Sequence, residues 1–149
     1  MFIRNLLAGF LVLIFGFSNG ARAEEQQSVA IIKSVTGDVK IIRGKSELVA
    51  VPGADLMRSD VIMSGPKATS GIVFKDGTQL TVGALSEIEI SRYVFQPEQS
   101  KYDFALYLRK GEAIYSSGKI GKLSPESVSI NTPKSTVGIR GTRFIVKAE

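Results

Sequence analysis

The chain has 149 residues, 19 Lys+Arg against 14 Asp+Glu, a formal net charge of +5, and neither histidine nor cysteine. Without histidine there is no Ser-His-Asp or Cys-His pair, no imidazole metal ligand and no side chain that ordinarily titrates near neutrality. Without cysteine there is no disulfide, thiolate zinc site or iron–sulfur cluster; basic and acidic residues are interspersed, which argues against a nucleic-acid-binding face.

Residues 1–23 read as a secretory signal peptide. Arg4 opens the segment, Leu6 to Phe17 is an apolar run of twelve residues, and Ala21-Arg22-Ala23 is a small-x-small cleavage site. The run is well short of the roughly 20 apolar residues a membrane-spanning helix needs, so no stable membrane insertion is expected after cleavage. Cleavage removes two basic residues (Arg4 and Arg22) and no acidic one, so the net charge falls from +5 to +3. Residues 24–28 form a polar leader, and residues 29–149 are expected to make one domain, periplasmic or secreted.

From Val29 onward, short runs rich in Val, Ile, Phe, Tyr and Thr are broken at regular intervals by Gly, Pro, Asp or Ser, which predicts an all-β domain. The expected strands, in chain order, are 29–35, 38–43, 47–51, 60–63, 69–75, 78–83, 86–93, 102–109, 112–116, 126–130 and 142–147. No stretch has helical periodicity. Alternation places Val39, Ile41, Ile72, Phe74, Leu80, Val82, Ile88, Ile90, Tyr102, Phe104, Leu106, Leu108, Val128 and Ile130 in the core. At Lys75-Asp76-Gly77 a three-residue loop with Gly77 left-handed pairs Ile72 with Leu80 and keeps both apolar sets on one face, which a two-residue loop does not.

The carboxylates available for acid–base work are Asp55, Asp60, Asp76, Glu87, Glu89 and Asp103. Glu87 and Glu89 share a strand face and read as solvated; Asp76 is a turn former and Asp60 a strand-start cap. Neither a metal nor a cofactor is expected, and no twelve-residue calcium loop is present. Tyr93, Phe95, Tyr102, Tyr107 and Tyr115 offer aromatic surface for a sugar or peptide, with Tyr107, opposite Phe104 in facing, the best exposed.

The segments Gly37-Asp38-Val39, 51–64, 71–90, 106–115 and 130–147 together resemble the FecR-type domain over nearly all of residues 35 to 147. Lys75-Asp76-Gly77-Thr78 with the strand that follows, and Thr132-Pro133 with the Val-Gly-Ile-Arg-Gly-Thr block at 137–142, carry most of the likeness. The resemblance implies a twisted β-solenoid or flattened β-helix; spacing alone is equally compatible with an antiparallel β-sandwich. It also implies an exported module of the bacterial cell envelope, signalling-related and not an enzyme. Two departures stand out: Ser59-Asp60 replaces a frequent Gly-Asp pair, and the sequence stops at Glu149 where many members continue. The five residues before the apolar run leave no length for a cytoplasmic sigma-factor-binding segment, so direct anti-sigma activity is not expected.

The Gly-Ile-Arg-Gly block at 138–141 leads into a strand rather than a helix, which argues against a phosphate cradle or a single-stranded RNA loop. It reads as a structural corner, with Gly138 and Gly141 permitting close approach or positive φ and Arg140 bonding nearby carbonyls or a carboxylate. Asp76, Gly77, Pro133 and Thr142 complete this structural set. The expected partner is an envelope protein or polymer, met through strand 142–147, with Thr142, Arg143 and Lys147 polar along it, or through Tyr107; Lys147 and Glu149 could equally blunt that edge. The competing reading is a polysaccharide-active or polysaccharide-binding solenoid, which requires Asp55, Asp60, Asp103, Lys101 and Arg109 to converge in one groove.

Overall fold

The computed structural model describes residues 26–139 and 141–149; the expected signal segment at 1–23 and Arg140 lie outside them. Among the described residues there are twelve strands: β1 Ala30–Thr36, β2 Val39–Arg43, β3 Ser46–Val49, β4 Asp55–Leu56, β5 Val61–Ser64, β6 Thr69–Phe74, β7 Gln79–Val82, β8 Glu87–Gln96, β9 Lys101–Ser116, β10 Val128–Asn131, β11 Thr136–Gly138 and β12 Arg143–Ala148. One helical turn and a half, α1 (Lys119–Leu123), and two 3-10 turns, Pro97–Gln99 and Pro125–Ser127, complete the described elements.

The strands form one curled, largely antiparallel half-barrel in the order β3-β2-β5-β8-β9-β7-β6-β1-β4. The all-β expectation is met at the level of class, and the pairing itself describes the architecture. β9 is the spine. Its first half pairs with β8 (Tyr93 opposite Phe104) and, in parallel, with β10 (Phe104 opposite Val128). Its second half pairs with β7 (Leu80 opposite Tyr115) and with β12 (Phe144 opposite Tyr115).

The expected break at 109–111 is absent because Gly111 turns the strand without ending it. Gly111 has φ of +93°, and a Cβ there would sit 2.1 Å from Ser86 Oγ, a contact no side chain survives. Glu112 N–H donates to Ser86 Oγ at 2.9 Å and Gly83 N–H to the Glu112 carbonyl at 2.8 Å, so the bend keeps its hydrogen bonds.

Alternation places the core as expected: Val39, Ile41, Ile72, Phe74, Leu80, Val82, Ile88, Ile90, Phe104, Leu106, Leu108, Val128 and Ile130 are all buried, while Tyr102 is only half-buried. A run of aromatic contacts crosses this core, from Phe74 to Phe104 (4.8 Å between centroids), Phe104 to Tyr115 (6.0 Å) and Tyr115 to Phe144 (5.0 Å). Such pairs contribute about 0.5–1.5 kcal/mol each beyond the area they bury. The Lys75-Asp76-Gly77 loop forms as expected: Ile72 faces Leu80, Phe74 N–H donates to the Thr78 carbonyl at 2.9 Å, and Gly77 has φ of +85°.

The helix α1 was not expected. Five residues cannot hold a helix in isolation. Tertiary contacts hold this one: Ile120 is fully buried, its N–H donates to Asp76 Oδ2 at 3.1 Å, and Lys119 N–H donates to the Asp76 carbonyl at 2.8 Å.

Candidate functional site: the free edge of the last strand

β12 alternates by side chain. Phe144 packs on Tyr115 and Val146 is buried, whereas Arg143, Ile145 and Lys147 are exposed. Its backbone alternates too, and one bond fixes the phase. Ser117 N–H donates to the Thr142 carbonyl at 2.8 Å, and the register carries on from Arg143 opposite Ser116. In an antiparallel ladder hydrogen-bonded pairs recur every second residue, so Thr142, Phe144, Val146 and Ala148 bond to β9. The N–H and C=O groups of Arg143, Ile145 and Lys147 therefore point away from β9. No other described strand pairs with β12.

The other edge strands are shorter: two residues in β4, three in β11 and four in β3, against six in β12. Short edges template strand addition poorly, and a six-residue edge templates it well. A cavity opens at each end of β12. The one at its start has a volume of about 590 Å³, and Ser117, Gly121, Lys122, Glu126, Ile139 and Thr142 are among its lining residues. The one at its end, about 280 Å³, lies between the Thr132–Ser135 turn and residues 147–149. Thr132 holds that turn: its Oγ1 accepts from Ser135 N–H at 3.1 Å and its own N–H donates to the Ser135 carbonyl at 2.7 Å, with Pro133 exposed between them.

Asp76 does more than form a turn. Its side chain is fully buried and accepts from the Tyr93 hydroxyl (3.0 Å), Thr78 Oγ1 (2.7 Å) and Ile120 N–H (3.1 Å), while its own N–H donates to the Tyr93 oxygen at 2.9 Å. This hub anchors α1, and α1 supplies Gly121 and Lys122 to the wall of the cavity at the start of β12. Burial, with the nearby Asp76 charge second, pushes the Tyr93 phenol well above its ordinary value of 10.

Gly141 has φ of +109°, as a corner requires, but Gly138 does not. Gly138 sits in β11 opposite Ser129, outside the left-handed region, with open space where a Cβ would be. Arg140, between them, lies outside the described residues. Thr142, Arg143 and Lys147 are exposed, and Lys147 Nζ lies 3.1 Å from Glu112. Tyr107 is not the open platform expected. It is half-buried in the part of β9 before the Gly111 bend, with Glu89 opposite on one side and Asn131 on the other, and belongs to a different face from β12.

The carboxylates are dispersed among separate partners. Asp60, buried, takes a forked pair of bonds from Arg43 at 2.9 and 2.8 Å; Asp103 pairs with Arg92 at 2.9 Å; Arg109 bridges Glu87 at 2.8 Å and Glu89 at 3.7 Å; Asp55 accepts from Ser28. Among the described residues no group of three or more His, Cys, Asp or Glu is placed to hold a metal ion, and no helix is long and apolar enough to cross a membrane. Sequence reasoning missed Lys122 and Lys134 beside the edge, because each falls in a segment that reads only as a chain break.

No curated protein and no solved structure matches the chain. A family model, that of the FecR protein, matches residues 60–149. The match includes the Lys75–Thr78 turn, the spine β9, the β10–β11 hairpin and the whole of β12; it omits residues 35–59, which the resemblance had included. Because it spans more than half of the chain, and its residues build the hub, the spine and the free edge alike, the chain belongs to the FecR family.

Proposed function

We propose that the protein is an exported, non-enzymatic recognition module of the bacterial cell envelope with a signalling-related role, and that it meets an envelope protein by strand addition along β12. The observation that carries this reading is the six-residue edge whose Arg143, Ile145 and Lys147 backbone groups point away from the sheet. Family membership supports the signalling-related envelope setting. The carboxylates favour binding over glycoside cleavage, which needs two carboxyl groups flanking an open bond: Asp60 and Asp103 are held by different arginines, and Glu87 and Glu89 are both engaged by Arg109. A polysaccharide partner is the second choice, because the half-burial of Tyr107 leaves little ring face for stacking on a sugar.

Capture from envelope extract tests the reading. Cutting β12 away is the wrong comparison, because Phe144 and Val146 belong to the core. Ile145→Pro removes an outward N–H and no ladder bond. Capture of the same partners by a folded Ile145→Pro protein would refute edge pairing.

A further inference from the structure

The chemistry of the edge narrows the partner, and the inference rests on the function proposed above. Along β12 the outward side chains run cation, apolar, cation: Arg143, Ile145 (57% exposed) and Lys147. An added antiparallel strand must bond to the backbone of these three residues, and its own side chains then lie directly opposite theirs, where unlike charges attract and like charges repel. Lys147 already meets Glu112, yet its side chain remains 71% exposed and open to a second carboxylate. Glu126 accompanies Lys122 in the cavity at the start of the strand, and Glu149 accompanies Lys134 in that at its end, so the excess of positive charge lies on the strand.

We propose that β12 accepts an extended segment of a partner protein bearing acidic residues at alternate positions on either side of an apolar one. A second copy of the chain fits poorly. Full six-residue overlap of two antiparallel β12 strands would set outward Arg143 against inward Ala148, which the hydrogen-bond phase forbids. Centring the pair on Ile145 sets Arg143 against Lys147 twice. Centring it on Val146 opposes Arg143 to Glu149 but sets Ile145 against Lys147, so no apolar pair forms on the exposed face.

The test uses the purified protein and two synthetic peptides, one containing Glu-Thr-Val-Thr-Glu and the other Lys-Thr-Val-Thr-Lys, with affinity from fluorescence anisotropy and location from backbone amide shifts. The acidic peptide is expected to bind on the order of tenfold more tightly than the basic one, through its two cross-strand charge pairs, and to shift the amides of Arg143, Ile145 and Lys147. Arg143→Glu/Lys147→Glu should reverse the preference, and Ile145→Pro should abolish binding of either peptide, with thermal melts showing both variants folded. Equal binding of the two peptides, abolished by Ile145→Pro, would overturn the acidic partner and leave the edge reading standing. Binding unaffected by Ile145→Pro, or no binding of either peptide, would overturn both. A concentration-dependent dimer in sedimentation, lost in Ile145→Pro, would show a second copy to be the occupant and overturn the proposal.

Discussion

At the scale of single residues, Asp76 shows how much one buried carboxylate can organise through neutral donors. It satisfies the Tyr93 hydroxyl, the Thr78 hydroxyl and the Ile120 N–H together. Asp76→Ala should therefore destabilise the protein by about 3 kcal/mol or more, since each orphaned buried partner costs about 1–3 kcal/mol; urea unfolding measures this, and a loss under 1 kcal/mol would contradict the assigned role. Tyr93 carries a pH dependence. Its folded pKa is raised, so the folded state holds the proton more tightly than the unfolded chain, whose value is about 10. That contribution is complete below pH 10 and is lost as pH rises above it. Alkaline unfolding should start later and fall less steeply in Tyr93→Phe than in the parent when each is compared with its own stability at pH 8. Gly141→Ala should cost about 1 kcal/mol because of its positive φ, whereas Gly138→Ala should be nearly neutral.

At the scale of elements, β12 has two sides that differ by one residue of phase. Ile145→Pro faces the proline nitrogen to solvent and should cost below about 1 kcal/mol. Val146→Pro deletes a bond to β9 and a buried side chain, and should cost above about 3 kcal/mol. Thermal melts of the pair check the assignment, and the opposite order would mean that the strand presents its other set of backbone groups. The spine β9 bends for an equally local reason. Gly111 combines positive φ with contact against Ser86, which lets one sixteen-residue strand serve β8 and β10 in its first half and β7 and β12 in its second.

At the scale of the whole molecule, the half-barrel separates two surfaces that the sequence offered as alternatives. Tyr107 lies on the face shared by β8 and β10; Arg143 and Lys147 lie beyond the bend, on the edge. One partner strand on β12 would not reach Tyr107, so Tyr107→Ala should leave peptide affinity unchanged while Arg143→Glu/Lys147→Glu alters it. Export is tested separately: mass spectrometry of protein recovered from the envelope should give a chain beginning at Glu24, and an intact Met1 on a membrane-retained chain would refute the signal-peptide reading.

What the sequence by itself determined was whatever depends on neighbours in the chain. Period-two alternation set the buried faces from Val39 to Ile130, and Asp-Gly chemistry set the loop at 75–77, because both are short-range consequences of side-chain direction and allowed φ. Exclusion of cysteine and histidine chemistry followed from composition alone. Only the tertiary structure decided that Asp76 is buried, since its ligands Tyr93 and Ile120 come from 17 and 44 residues away. Only it produced α1, which long-range bonds to Asp76 hold in place of intrinsic helical preference, and β9 as one strand, since a glycine that ends a strand and one that bends it look alike until Ser86 is packed against it. The free edge belongs to the same class: which backbone groups of β12 face outward is fixed by its phase against β9, and no property of residues 143–148 alone contains that phase.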